Sequence, residues 1–197
     1  MVKIGVLISG SGSNLQEIID ACNEKRINAE VAVVISNRQN AYGLERALKS
    51  SIPAVYIDPK KEDFNKKVIE ILEKYKVELV CLAGFLLKIS EEFVKKYRGK
   101  ILNIHPALLP KYGGAGMYGV HVHDAVLKAK EKVSGCTVHI VDEEYDKGTI
   151  ILQKKVKVFK SDTPEILQKR VLEQEHIAYP EAIKIVIKML FEKTKNH

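Results

Sequence analysis

The sequence predicts an α/β fold, a Rossmann-like, mostly parallel twisted sheet with helices on both faces and an antiparallel C-terminal part. Three observations predict it. Short β-rich apolar runs alternate with longer segments of helical periodicity as far as His105. A glycine-rich turn joins the first apolar run to the first helical segment. Beyond Pro106 the alternation stops, and two strand-like runs lie close enough in sequence to pair as a hairpin.

The elements follow in order. Residues 2–9 are an apolar run, and residues 14–25 place Leu15, Ile18, Ile19 and Cys22 at helical spacing. Strands are predicted at 31–36, 54–57, 78–83 and 100–104, with helices at 42–49, 64–76 and 91–97 between them. A loop carrying Gly113, Gly114, Gly116 and Gly119 leads to a helix over 121–130, then to the hairpin strands at 136–142 and 149–159. The last helix begins at Thr163-Pro164, a cap residue followed by proline at the first helical position, with an irregularity expected at Pro180.

A chain of 197 residues can bury a full core, and with no repeat or linker the expectation is one domain, 1–197. No apolar run is long enough to span a bilayer, and Met1-Val-Lys-Ile-Gly reads as a first strand rather than a signal peptide. Cys22, Cys81 and Cys136 have no zinc or redox spacing, which predicts free thiols in a reducing, cytoplasmic compartment. The net charge of +7 favours anionic partners, but the lysines are dispersed among acids with no arginine-rich arm or aromatic-basic stripe. That pattern reads as a solvated lysine face and argues against nucleic acid, and with no membrane-spanning run the expected partners are small-molecule substrates.

Ser9-Gly10-Ser11-Gly12-Ser13-Asn14 has the makings of a phosphate cradle. Glycines admit a ligand close to the backbone, and a helix N-terminus offers unpaired N–H groups. Leu15 occupies the third glycine position of a dinucleotide fingerprint, and no Gly-Lys-Ser/Thr follows. The competing reading is a Ser13/Gln16 capping box with glycines that only make the turn.

Strand alternation puts Asn103 and His105 on one face at a strand's carboxyl end. An amide suits an oxyanion, a neighbouring imidazole can move a proton, and a carboxylate would orient it. Asp142, Glu143, Glu144 and Asp146 all lie in the hairpin turn, and the sequence leaves the four open. His121 and His123 do not share a helical face, which argues against a metal. His139 alternates with apolar neighbours as a core histidine would, and Glu175-His176 faces either a ligand or solvent. Neither a serine nucleophile elbow nor a reactive-cysteine context is present.

The chain resembles the phosphoribosylglycinamide formyltransferases, the folate-dependent glycinamide ribonucleotide transformylases. The likeness runs in order through Val6-Leu-Ile-Ser-Gly-Ser-Gly-Ser-Asn-Leu-Gln, Ser36-Asn37, Gly43-Leu-Glu-Arg-Ala and Leu82-Ala-Gly-Phe85. It continues through Asn103-Ile-His-Pro-Ala-Leu-Leu-Pro-Lys, Gly135-Cys-Thr-Val-His-Ile-Val-Asp-Glu-Glu-Tyr-Asp-Lys-Gly and Gln174-Glu-His. The resemblance implies formyl transfer from 10-formyltetrahydrofolate, a co-substrate, to the amine of glycinamide ribonucleotide in purine (IMP) synthesis, with no metal. It implies catalysis by Asn103, a protonated His105 and Asp146, and ribonucleotide contacts from Gly12, Ser13, Asn14, Pro106 and Glu175. The folate site it implies comprises Leu86, Leu87, Lys88, Ile89, Val141, Asp142, Glu143 and Glu144. Residues 1–105 would form a phosphosugar-binding half and 106–197 would complete the folate and catalytic site, in a monomer or homodimer.

The chain departs from the family at Leu86-Leu87-Lys88-Ile89, where Met-Arg-Ile-Leu is frequent, and at Leu172, where a glutamine is frequent. Formyl transfer to initiator methionyl-tRNA is the nearest alternative, but such enzymes differ at the first turn and carry a further C-terminal domain. Formyltetrahydrofolate hydrolases carry a further N-terminal domain. A catalytically silent phosphosugar-binding module is the alternative of another class.

Overall fold

A computed structural model describes residues 1–61, 63–144 and 146–192. Tyr145, within the expected folate loop, lies outside them. The strands are β1 (Val2–Ile8), β2 (Ala29–Ser36), β3 (Ala54–Tyr56), β4 (Leu79–Leu82), β5 (Ile101–His105), β6 (Val133–Ile140) and β7 (Ile150–Lys157). The helices are α1 (Ser13–Asn23), α2 (Tyr42–Lys49), α3 (Phe64–Lys74), α4 (Glu91–Lys96), α5 (Val120–Lys128) and α6 (Pro164–Ile187).

One seven-stranded sheet runs in the order β3-β2-β1-β4-β5-β6-β7. The first five strands pair in parallel, while β6 pairs antiparallel with both β5 and β7. The predicted architecture is therefore present, hairpin included. The order in which strands are added reverses at β1 and β4, β2 and β3 lying to one side and β5 to the other, so the carboxyl ends of β1 and β4 open a crevice of the kind that receives ligands in open α/β sheets.

The parallel strands are apolar on both faces because helices cover both. Leu15, Ile18 and Ile19 of α1, Ala47 of α2, Val126 of α5 and Val171 and Tyr179 of α6 pack on one side. Phe64, Val68 and Leu72 of α3 and Phe93 and Val94 of α4 pack on the other. The Tyr179 hydroxyl reaches the carbonyls of Leu82 (2.9 Å) and Leu102 (3.1 Å), which ties α6 to the strands behind the crevice.

Two expectations are corrected. β6 begins at Val133 and includes Gly135, where a Cβ would meet the Lys154 carbonyl oxygen of β7 at 1.9 Å. Strand pairing, not a turn, demands that glycine. α6 passes through Pro180 unbroken, and the departure from α geometry comes at its end, where Lys188–Glu192 winds as a π-helix. Pro180, the preceding Tyr179 and the nearby Ala182 are buried, so packing holds the turn that proline weakens.

Candidate active site

The turn after β1 is shaped by left-handed backbone at Gly12 (φ 70°), which is the N-cap of α1. Side chains cap α3 (Asp63), α4 (Ser90) and α6 (Thr163), but none caps α1. The Ser13/Gln16 capping box does not form. Gln16 donates instead to Asp20 (3.0 Å) and accepts from Arg46 (3.2 Å), because Ser13 already lies inside the helix. The first N–H groups of α1 are left to face a cavity.

α2 buttresses this turn from behind, a role the sequence did not disclose. Gly43 N–H donates to the Gly10 carbonyl (3.1 Å), and Arg46 Nε–H donates to the Ser11 carbonyl (2.9 Å). A Cβ on Gly43 would lie 2.3 Å from Ile8 Cδ1 and 3.2 Å from Gly12 Cα, so any larger residue must displace the Ile8 side chain and press on the turn. At the strand end, Ser9 Oγ donates to Asn37 Oδ1 (2.6 Å) and accepts from Leu86 N–H (2.9 Å). The Ser36-Asn37 motif and the residue that follows Leu82-Ala-Gly-Phe85 thus meet at one hydroxyl.

Asn103 and His105 emerge together from β5. The His105 ring is buried, with Nε2 2.7 Å from the Tyr112 carbonyl and Nδ1 3.7 Å from Asp146 Oδ2. A carbonyl only accepts, so Nε2 carries the proton of the neutral ring and the Nδ1 lone pair faces the carboxylate. Asp146 Oδ2 also accepts Gly114 N–H at 2.8 Å. Its other oxygen lies 3.4 Å from His139 Nε2, which in turn lies 3.2 Å from Asn103 Nδ2. His139 is therefore part of the polar cluster rather than a core histidine.

Of the four hairpin-turn carboxylates, Asp146 is the one that meets His105. Glu143 pairs with Arg98, Glu144 with Lys147, and Asp142 accepts the Glu144 N–H. Asp146 gets there through a left-handed backbone (φ 55°), and Gly113 makes room, since a Cβ there would stand 3.1 Å from Asp146 Cβ.

Burial alone would raise the Asp146 carboxyl. The His139 hydrogen bond, the Gly114 N–H and the nearby His105 outweigh it and hold the group below the usual carboxylate range. Burial acts in the opposite direction on His105 and prevails over the attraction of Asp146, so its pKa is lowered. The protonated His105 that the family resemblance implies would therefore have to gain its proton as charge develops on substrate. The site holds neutral His105 beside ionised Asp146.

His123 is also buried, pushed down to about 4 by burial and by His105, and its Nδ1 has no partner among the described residues. His121 instead lies edge-on to Tyr118, with ring centroids 5.9 Å apart. Among the described residues no group of His, Cys, Asp and Glu is arranged to hold a metal.

Two cavities meet at this cluster. The larger, about 590 Å³, contains Gly12, Ser13, Asn14, Pro106 and Glu175, all expected at a ribonucleotide site. Glu175 is buried and accepts from Asn14 Nδ2 at 2.7 Å, while His176 faces Glu17 at 3.8 Å and does not line the cavity. The narrower, about 90 Å³, contains Leu87, Lys88, Ile89, Val141, Asp142, Glu143 and Glu144. Leu86 departs from that expectation. The Ser9 hydroxyl holds its N–H, and its side chain lines the larger cavity. Phe85, Leu87, Asn103 and Asp146 line both.

A formyl transferase family model matches residues 2–183. The phosphoribosylglycinamide formyltransferase of Haemophilus influenzae is 44% identical over 191 residues, covering 93% of this chain and 86% of that protein. The chain belongs to the phosphoribosylglycinamide formyltransferases of the formyl transferase family. The trifunctional purine biosynthetic protein adenosine-3 of Gallus gallus is 46% identical over 94% of this chain, which spans 18% of that protein's length. The crystal structure of glycinamide ribonucleotide transformylase 1 from Symbiobacterium toebii superposes with a TM-score of 0.91 at 45% identity, covering 96% of this chain and 89% of that one. The Rossmann-like sheet described above is the formyl transferase fold. No helix among the described residues is long and apolar enough to cross a membrane.

Proposed function

We propose that the protein transfers the formyl group of 10-formyltetrahydrofolate to the amine of glycinamide ribonucleotide, a step of de novo purine synthesis. The observation that carries this reading is the junction of two cavities at Asn103 and Asp146. One cavity has an uncapped helix N-terminus suited to a phosphate. The other has an apolar floor of Leu87, Ile89 and Val141 under polar groups, suited to a flat heterocycle with hydrogen-bonding edges.

The amine nitrogen attacks the formyl carbon, forming a C–N bond while the carbonyl electrons move onto oxygen. Asn103 Nδ2–H stabilises that oxyanion. The amine proton passes to the Asp146–His105 pair, whose Nδ1 lone pair and carboxylate are 3.7 Å apart. With the proton on Nδ1, both His105 N–H groups have acceptors, Tyr112 O and Asp146 or the oxyanion. Collapse then breaks the bond from formyl carbon to N10 of the folate, and N10 takes up the proton. One proton leaves the amine and one reaches N10. No metal is required in this sequence.

Gly12, Ser13, Asn14, Pro106 and Glu175 act on the ribonucleotide in this reading. Leu87, Lys88, Ile89 and residues 141–144 act on the folate. The chain works as one formyltransferase domain over 1–197, as a monomer or homodimer in the cytoplasm, on small molecules and without nucleic acid. Residues 1–105 supply the phosphate turn, and the α6 face of 106–197 closes over it as well as completing the folate side. Incubation with both substrates tests the proposal. Ribonucleotide-dependent appearance of tetrahydrofolate supports it, and formate release independent of ribonucleotide contradicts it.

A further inference from the structure

We propose that Lys169 is the cation that selects a phosphorylated substrate in the larger cavity. The inference rests on the function proposed above and names a residue that the family resemblance does not supply.

The larger cavity is lined by the carboxylates of Asp146 and Glu165, which oppose entry of a phosphate dianion, while burial raises the third carboxyl, Glu175, and favours its neutral form. Lys169 is the only lysine or arginine lining it among the described residues. Arg46 is close to the phosphate turn but does not line the cavity, and its guanidinium is committed to the Ser11 carbonyl and Gln16. The turn's own N–H groups supply partial charge only.

Lys169 stands on the cavity face of α6, one helical turn before the apolar Leu172 and four residues after Glu165. An i, i+4 Glu–Lys pair would ordinarily neutralise it. No ion pair joins Glu165 to Lys169 among the described residues, and the helix start, through the Glu165 N–H and the Thr163 hydroxyl, holds the Glu165 carboxyl below the usual range. The Lys169 side chain makes no ion pair or hydrogen bond among the described residues. A second sign of a missing ligand sits opposite, where the buried Asn14 Oδ1 lining the same cavity has no partner. A ribonucleotide seated with its phosphate on the α1 N-terminus and a ribose hydroxyl at Asn14 answers both.

The test compares the protein with Lys169→Met, Lys169→Arg and, as a control for bulk charge, the exposed Lys155→Met. Two readouts are used. The first is steady-state turnover with glycinamide ribonucleotide, and the second is binding of inorganic phosphate by ³¹P line broadening. We expect Lys169→Met to raise KM for the ribonucleotide by about tenfold, as loss of one charge-assisted contact does. kcat and KM for the folate should change less than twofold, phosphate binding should weaken in parallel, and arginine should restore most of both. The control should match the parent. Equal KM and equal phosphate binding in Lys169→Met and the parent would overturn the assignment while leaving the formyl transfer proposal intact. If the parent itself shows no ribonucleotide-dependent turnover, the function proposal fails. The phosphate readout then still decides Lys169, with weakened binding supporting its role and unchanged binding overturning it.

Discussion

Asp146 Oδ2 lies 3.7 Å from His105 Nδ1, a separation beyond a direct hydrogen bond, and no other polar group is recorded at that nitrogen among the described contacts. With Nε2 held by the Tyr112 carbonyl, this gap is the place where a proton arriving from substrate is shared. The arrangement makes the pair a proton carrier that starts uncharged on histidine and charged on aspartate.

Asp146→Asn should therefore lower turnover by about 10²–10⁴-fold, since it removes the proton acceptor and the charge that favours imidazolium. KM for the ribonucleotide should change little because the phosphate turn is on α1. Asp146 raises the His105 pKa, so the variant's His105 resonance should titrate at lower pH than the parent's. A variant that loses ribonucleotide binding but keeps its rate per complex contradicts the role.

Asn103→Ala should cut kcat by about 10²–10³-fold, near 3 kcal/mol, the typical loss of one oxyanion donor. It should leave the melting temperature within a few degrees, since the Asn103 side chain lines both cavities rather than the core. Steady-state kinetics beside a thermal melt checks both halves.

Gly43→Ala tests the buttress behind the phosphate turn. The new methyl would meet Ile8 and Gly12, at an overpacking cost of about 1–3 kcal/mol. Displacement of Gly12 should raise KM for the ribonucleotide more than KM for the folate. Equal effects on both would detach the turn from phosphate binding.

Much of this was legible in the sequence. Parallel strands buried on two faces must be apolar runs, and their helices must show one apolar stripe, so the order of elements through β5 could be read directly. Asn103 and His105 followed from strand alternation. The choice of Asp146 did not, because it depends on a left-handed residue and on the clearance at Gly113, both tertiary facts. His139 looked like core because its neighbours alternate as apolar residues, and only the pairing of β6 with β5 brings it to Asn103. Gly43 and Arg46 looked like ordinary helix residues, since their use is to touch a turn more than thirty positions away.

The buried His123 makes stability depend on pH. An unfolded histidine titrates near 6.5 and this ring near 4, so between those values the unfolded chain binds more protons. Its contribution is complete above pH 6.5 and is lost as pH falls toward 4, by about 2 kcal/mol after allowance for partial solvation. Chemical denaturation of the parent and of His123→Asn across pH 4–7 should give a difference that shrinks as pH falls. A constant difference would contradict the buried neutral ring.

The central claim is that two substrates meet at Asn103, His105 and Asp146. The most direct measurement follows folate absorbance in the purified protein with 10-formyltetrahydrofolate, with and without glycinamide ribonucleotide, and identifies the product by mass. The account predicts tetrahydrofolate and formylglycinamide ribonucleotide in equal amounts, formed only when both substrates are present. Folate turnover without the ribonucleotide, or tight ribonucleotide binding with no turnover, would contradict it.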